Sequence, residues 1–220
     1  MARVSQAHLD ARRRQILEGA ARCFARNGFH ATSMQDVLKE ADLSAGAVYR
    51  YFSGKEELIG AIAAEVLEGL RAAFAEEAEE RPLQPPDVVV GRVFTRMMDR
   101  GPVSEFGGRT GFPRLMIQVW TETLRNPELA ALTREGFLRV RAAWVRIVRQ
   151  YQREGLMRDD LPAEHVAQTM IALAQGFAAQ QAVFGETPVE NLQDGLRALM
   201  SMGGPGPVAV EDGRGSGSTP

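Results

Sequence analysis

The sequence predicts an all-α protein, with an N-terminal three-helix helix-turn-helix domain joined to a larger helical-bundle domain. Three observations carry that expectation. Apolar residues recur three and four apart along most of the chain, which puts them on one face of a helix. Capping residues and glycine or proline stops bracket these runs. No segment alternates apolar and polar residues as a half-buried strand does, and no internal repeat stands out.

Residues 1–8 read as a polar arm. From Leu9, a stripe of Leu9, Ile16, Leu17, Ala20 and Phe24 runs between arginines to Asn27–Gly28, where glycine accepts a left-handed helix stop. Thr32 or Ser33 caps the second helix, with Gln35 or Asp36 at the capping-box position and Met34, Val37, Leu38 and Ala41 as its inner face. Asp42–Leu43 makes the turn. Ser44 caps a third helix of about two turns ending near Tyr51. Val48 and Phe52, four apart, pack inward and leave Ala45, Gly46, Tyr49 and Arg50 outward.

Ser53-Gly54-Lys55-Glu56 has the form of a capping box that opens a long helix through Leu58, Ile62, Val66, Leu70 and Phe74 to the acidic run Glu76–Glu80. Arg81–Asp87, with three prolines, breaks it, and periodicity resumes from Val88 to Asp99. Residues 101–113, rich in glycine and proline, are expected to form a loop or broken helix, followed by a helix over 114–125. Asn126–Pro127 opens a long helix with the stripe Leu129, Leu132, Phe137, Val140, Trp144, Ile147, Val148, Tyr151, ending at Gly155. Pro162 opens the next, through Val166, Met170, Leu173, Phe177 and Phe184. Thr187-Pro188-Val189-Glu190 caps the last, through Leu192, Leu196 and Leu199. From Gly203 the chain holds too little apolar content to order itself. The expected units are 1–55 for DNA binding, 56–202 for ligand binding and dimerisation, and 203–220 as a disordered tail.

The 220 residues, 45% of them hydrophobic, suffice for a small plus a larger unit with a real core. Residues 1–55 hold nine basic and five acidic side chains, a net +4 against −6 for the remainder, which points to an anionic partner at the N-terminal end. The single cysteine, Cys23, excludes an intrachain disulfide, fits a reducing compartment and reads as a packed thiol. The first 15 residues are arginine-rich without an apolar stretch, and no apolar run approaches the ~20 residues of a membrane span. A soluble, cytoplasmic chain without a membrane partner is expected.

Nothing in the pattern carries catalysis. His8, His30 and His165 lie far apart, without metal-ligand spacing or a cysteine cluster, and no nucleophile elbow, P-loop or dinucleotide fingerprint occurs. No enzyme, metal or cofactor is therefore expected. A protein-binding helical adaptor is a further class, distinguished by the absence of salt-sensitive duplex binding.

Residues 31–57 carry the sharper expectation. Ala45, Gly46 and Ala47 are small enough to let a helix approach bases closely, with Tyr49 and Arg50 beside them. The helix starts at Thr32/Ser33 and at Ser44 offer N–H groups to phosphate oxygens. Arg50 suits either the O6/N7 edge of guanine or a phosphate. Lys55 opens a helix, where a cation opposes the dipole, which suggests an external anion. His30, in the first loop, and the run Arg12–Arg14 are either backbone contacts or plain surface residues.

Residues 10–60 resemble the TetR family of transcriptional regulators, through Arg14-Gln15-Ile16-Leu17, Ala20-Ala21, Phe24, Gly28-Phe29, Thr32-Ser33-Met34, Val37, Ala41, Leu43-Ser44, Gly46, Val48-Tyr49, Tyr51-Phe52, Lys55-Glu56 and Leu58. The resemblance implies phosphate contacts at Tyr49, Lys55 and Thr32, and a DNA-facing set of Ser44, Ala45, Gly46, Arg50 and Tyr51. Ala45 departs from the polar residue or proline common there. It also implies a dimer on a palindromic double-stranded operator, released when a small molecule tilts the helix that starts at Ser53.

For the remainder, the helices near 127–155 and 162–184 are the longest amphipathic pair, with small Ala167, Ala174 and Ala178 allowing close approach. They are expected to build an intersubunit four-helix bundle as well as core. Candidate ligand residues are Phe94, Met97, Met98, Phe112 and Met116, with Gln118, Trp120, Glu122, Trp144 and Phe177. Methionine and aromatic residues form adaptable apolar walls, while Glu122, if buried, would select a cation. A methionine or aromatic residue at helical spacing is more often core than pocket, and a glutamate is more often exposed.

Overall fold

A computed structural model of the chain describes residues 6–99, 108–185 and 187–201, and every regular element among them is helical. In order they are α1 (Gln6–Asn27), α2 (Met34–Ala41), α3 (Ala45–Tyr49), α4 (Lys55–Glu79), α5 (Pro86–Asp99), α6 (Gly108–Thr123), α7 (Pro127–Arg153), α8 (Ala163–Phe184) and α9 (Val189–Met200). The tail expected from residue 203 and residues 101–107 of the glycine-rich segment lie outside the described residues.

Local chemistry sets most boundaries. Gly28, at φ +83°, ends α1. Ser33 caps α2 reciprocally with Asp36, whose carboxylate accepts the Ser33 N–H at 2.8 Å. Asp42 turns the chain at φ 52°, a left-handed conformation that aspartate tolerates. Asn126 accepts from the N–H groups of Glu128 and Leu129, both at 3.0 Å, and opens α7.

Three local expectations need correction. The box at the start of α4 joins Ser53 to Glu57 rather than Glu56, because extended Gly54 is the N-cap. Both the N–H and the hydroxyl of Ser53 donate to Glu57, at 2.7 and 2.9 Å. α6 begins at Gly108 and runs through Pro113. Burial of Phe112 and Leu115 beside the proline offsets its cost of ~3 kcal/mol in a helix interior. Thr187 makes no side-chain cap for α9; its carbonyl instead accepts from Gln181 Nε2 at 2.8 Å.

Two buried clusters result. Ile16, Leu17 and Phe24 of α1 pack with Phe29, Val37, Val48 and Phe52, and α4 contributes Leu58, Ile59 and Ile62. The expected boundary after residue 55 thus falls at the start of a helix that belongs to both units. The second cluster centres on α7, with Phe74 and Trp144 at 4.7 Å between ring centroids. Most of the α7 stripe lies inside the monomer, with Val140, Trp144 and Ile147 each 3% exposed or less, while Leu132 at its N-terminal end stays exposed. The outward side of α7 carries Arg134, Arg139, Arg146 and Arg149, with Leu132 and Leu138 among them.

The α1–α2 crossing depends on glycine. A β-carbon at Gly19 would lie 3.1 Å from the backbone N and Cα of Ala41. Gly19→Val is expected to force the helices apart and cost about 1–3 kcal/mol. A urea titration checks this, with a lower midpoint at unchanged slope expected and a wild-type midpoint refuting the close crossing.

Candidate nucleic-acid interface and internal cavity

α3 is held by Val48 below it and by Ser44 before it. The Ser44 hydroxyl accepts the Ala47 N–H at 3.4 Å, and Val48 is fully buried. The opposite side exposes Ser44, Ala45, Gly46, Tyr49 and Arg50. A methyl group at Gly46 would meet no atom within 4 Å, so packing within the chain places no demand on that glycine. Tyr49 is half exposed, and neither its side chain nor that of Arg50 has a hydrogen-bond or ion-pair partner among the described residues. Tyr51 differs from expectation, being partly buried against the N-terminal core.

Other candidates are engaged internally. Thr32 is 1% exposed, and its hydroxyl donates to the carbonyls of Gly28 at 2.8 Å and Cys23 at 3.3 Å, so this side chain is not available to a phosphate. Ser33 is exposed, but its hydroxyl donates to Asp36 at 2.7 Å, and that carboxylate already lies at the positive end of α2. Lys55 donates from Nζ to the Phe29 carbonyl at 3.0 Å and lies 4.8 Å from that ring's centroid. An internal acceptor therefore accounts for a cation at this helix start, and the part-buried ammonium keeps two further N–H donors. In the arginine run, Arg12 donates to Gln15 at 2.9 Å, while Arg13 pairs with Glu65 of α4.

Glu40 links α2 to α1 through Arg22 at 2.8 Å and Arg26 at 3.0 Å, and these bonds hold its carboxyl below the ordinary carboxylate range. Hydrogen bonds from Ser33 depress Asp36, and those from Ser53 depress Glu57. Burial pushes the Cys23 thiol up, keeping it protonated and unreactive.

Two presumed ligand residues form a junction instead. Gln118 of α6 accepts the Phe29 N–H at 3.1 Å. Glu122 contacts His30 Nε2 at 3.2 Å, and Arg125 lies 3.3 Å from the same nitrogen. The loop after α1 is thus joined directly to α6.

Above this junction lies a cavity of about 140 Å³ between α4, α5, α6, α7 and α8. Phe94, Phe112, Met116, Trp120 and Trp144 line it as expected. Met97 and Met98 do not; they are core, at 3% and 5% exposure. Phe177 stands behind the wall, edge-on to Phe94 at 5.4 Å. Sequence reasoning missed Val66, Leu70 and Phe74 of α4, together with Phe137 and Gln175. The available signal was the width of the apolar stripe on α4, which is broader than one core requires.

Residues 16–62 match the model of bacterial regulatory proteins of the tetR family, and residues 104–202 match that of the BetI-type transcriptional repressor C-terminal domain. The chain belongs to the TetR family of transcriptional regulators. The HTH-type transcriptional regulator UidR of Escherichia coli (strain K12) is 27% identical over 188 residues, covering 86% of this chain and 90% of that protein. Among solved structures, Salmonella enterica GusR has a TM-score of 0.69 at 24% identity, covering 91% of this chain and 100% of that one. Bacillus subtilis FadR in complex with stearoyl-CoA also reaches 0.69, at 16% identity, over 84% and 96% of the two chains. Such relatives are regulators and not enzymes. Among the described residues of this regulator, no helix is long and apolar enough to cross a membrane.

The three carboxylates give the N-terminal unit a defined acid response. Each has a depressed folded-state pKa, so its stabilisation is present above the unfolded pKa and lost as pH falls through the folded value. Thermal melts are expected to show stability falling from the ordinary carboxylate range downward. Glu40→Gln should melt lower than wild type at neutral pH and converge on it in acid; a gap independent of pH would rule out the ionised bridge.

Proposed function

We propose that this regulator is a homodimeric repressor that holds a palindromic double-stranded operator through two copies of α3 and leaves it when a small molecule fills the cavity. One observation carries the reading. The helix α4 supplies Leu58, Ile59 and Ile62 to the helix-turn-helix core and Val66, Leu70 and Phe74 to the cavity wall. α6 offers a second link, from Trp120 at the cavity to Gln118 and Glu122 at the loop after α1. A ligand acts only through its different affinity for the two states, and each ~1.4 kcal/mol of difference changes operator occupancy tenfold. Repression is supported by the BetI-type repressor match, and a ligand-filled domain by the stearoyl-CoA held in a protein of the same fold.

On DNA, the proposed set is Ser44, Ala45, Gly46, Tyr49 and Arg50, with Lys55 and the edge of Tyr51 at its margin. Two such helices in a dimer read half-sites one helical turn apart, ~34–36 Å. The dimer face we assign is the outer side of α8. No charged residue occurs from Val166 to Phe184, and Thr169, Ala172, Leu173, Gly176 and Val183 lie exposed there. An uncharged, small-residue surface suits close packing against a second copy better than the arginine-bearing side of α7.

Fluorescence anisotropy with a duplex from the region upstream of the regulator's own gene tests the central claim. Preferential binding over a shuffled duplex, with a steep salt dependence, is expected. Gly46→Leu should abolish binding while leaving the melting temperature at or above wild type, since the site is open and glycine is a poor helix former. Arg50→Ala should relax preference at particular base pairs by about 1–3 kcal/mol if it reads guanine, or weaken all duplexes alike if it clamps phosphate. Binding insensitive to both changes would defeat the assignment of α3.

The dimer face has its own test. A β-carbon at Gly176 meets nothing within 4 Å among the described residues. Gly176→Arg should therefore yield a folded monomer by sedimentation velocity, with operator affinity lost; an intact dimer would move the interface elsewhere.

A further inference from the structure

We infer that the cavity takes a neutral, mainly hydrocarbon molecule of about one substituted ring, and rejects carboxylates and ammonium ions of the same shape. This rests on the reading of the cavity as the effector site and names the chemistry that site accepts. No charged side chain among the described residues lines the space. Glu122, the acid that would have recruited a cation, faces His30 at the junction below. An ionised ligand would lose its hydration without gaining a partner, which strongly opposes entry.

The polar groups on the wall narrow the choice further. The Thr133 hydroxyl donates within its own helix, to the carbonyls of Leu129 at 2.7 Å and Ala130 at 3.1 Å. The Gln175 amide and the Trp120 indole have no hydrogen-bond partner among the described residues. A ligand can thus place one hydroxyl or carbonyl against them and must otherwise be apolar. Nor do the rings form an open cage for a quaternary ammonium. Phe74 packs on Trp144 at 4.7 Å, and Phe94 packs on Phe177 at 5.4 Å, so these rings are partly engaged with one another. Size sets the remaining limit: a cavity of about 140 Å³ is close to the ~150 Å³ apolar cavity known to hold benzene.

The chain has two tryptophans, Trp120 and Trp144, and both line the cavity, so its intrinsic emission reports on occupancy directly. The test titrates the full chain with p-cresol and toluene, and with benzoate and benzylammonium as charged counterparts. Tryptophan emission, melting temperature and duplex affinity are read in parallel. The neutral pair is expected to change emission and raise the melting temperature, with the charged pair at least ~100-fold weaker because an unpaired charge is desolvated. Ala174 lines the space, and Ala174→Leu should fill it and abolish the emission and melting-temperature responses to toluene and p-cresol.

If Ala174→Leu does not fold, Gln175→Glu decides: it should weaken toluene and admit benzylammonium, and unchanged selectivity would overturn the inference. Charged probes binding wild type as well as neutral ones would overturn the ligand class and leave the regulator reading intact. Neutral binding without any change in duplex affinity would uphold the ligand class and count against ligand-driven release. A folded protein that binds no probe of either kind would overturn the inference and the effector-site reading together.

Discussion

Leu58, Ile59 and Ile62 close a core that α1, α2 and α3 leave open on one side. Three short or marginal helices cannot bury enough apolar surface alone, so the helix-turn-helix exists in its observed form because α4 completes it. The same helix continues into the second cluster, where Phe74 meets Trp144 and where Leu67 fits the space left by Gly136 of α7. A β-carbon at Gly136 would lie 2.6 Å from Leu67 Cδ1 and 3.0 Å from its Cβ, so the α4–α7 crossing, like the α1–α2 crossing, uses a glycine. Displacing α4 therefore disturbs two cores, and neither can relax independently.

α6 couples to the N-terminal unit differently. Its contact is polar and small: a backbone N–H at Phe29 satisfied by Gln118, and His30 beside Glu122. Hydrogen bonds of this kind contribute about 1 kcal/mol each, enough to fix the loop and too little to lock it. A change at Trp120 or Met116, on the cavity side of α6, lies on the same helix as Gln118. The apolar α4 link and the polar α6 link give the cavity two mechanical connections of different stiffness.

Charge is arranged to leave the α3 surface uncommitted. Asp36, Glu40 and Glu57 are engaged in caps and in the bridge to α1, so they organise the unit from within. The side chains of Arg50 and Tyr49 have no hydrogen-bond or ion-pair partner among the described residues. Arg50 is thus left uncommitted beside small residues that let another surface come close, and the overall balance of −2 says little about it.

The helix count, the stops at Gly28 and Gly155, the Ser33–Asp36 box, the inward pair Val48 and Phe52 and the α3 outer face were legible in the sequence, because each depends on residues within a turn or two of one another. The sequence alone therefore determined the all-α class and the helix-turn-helix. Tertiary structure decided what each polar or aromatic side chain meets. Thr32 turned inward to two carbonyls, Lys55 found the Phe29 carbonyl, and Gln118 and Glu122 faced the first loop rather than a ligand. The cavity acquired its α4 wall, and most of the α7 stripe packed inside the monomer. Periodicity identifies which face of a helix is buried, but not which neighbour covers it or whether a gap remains between them.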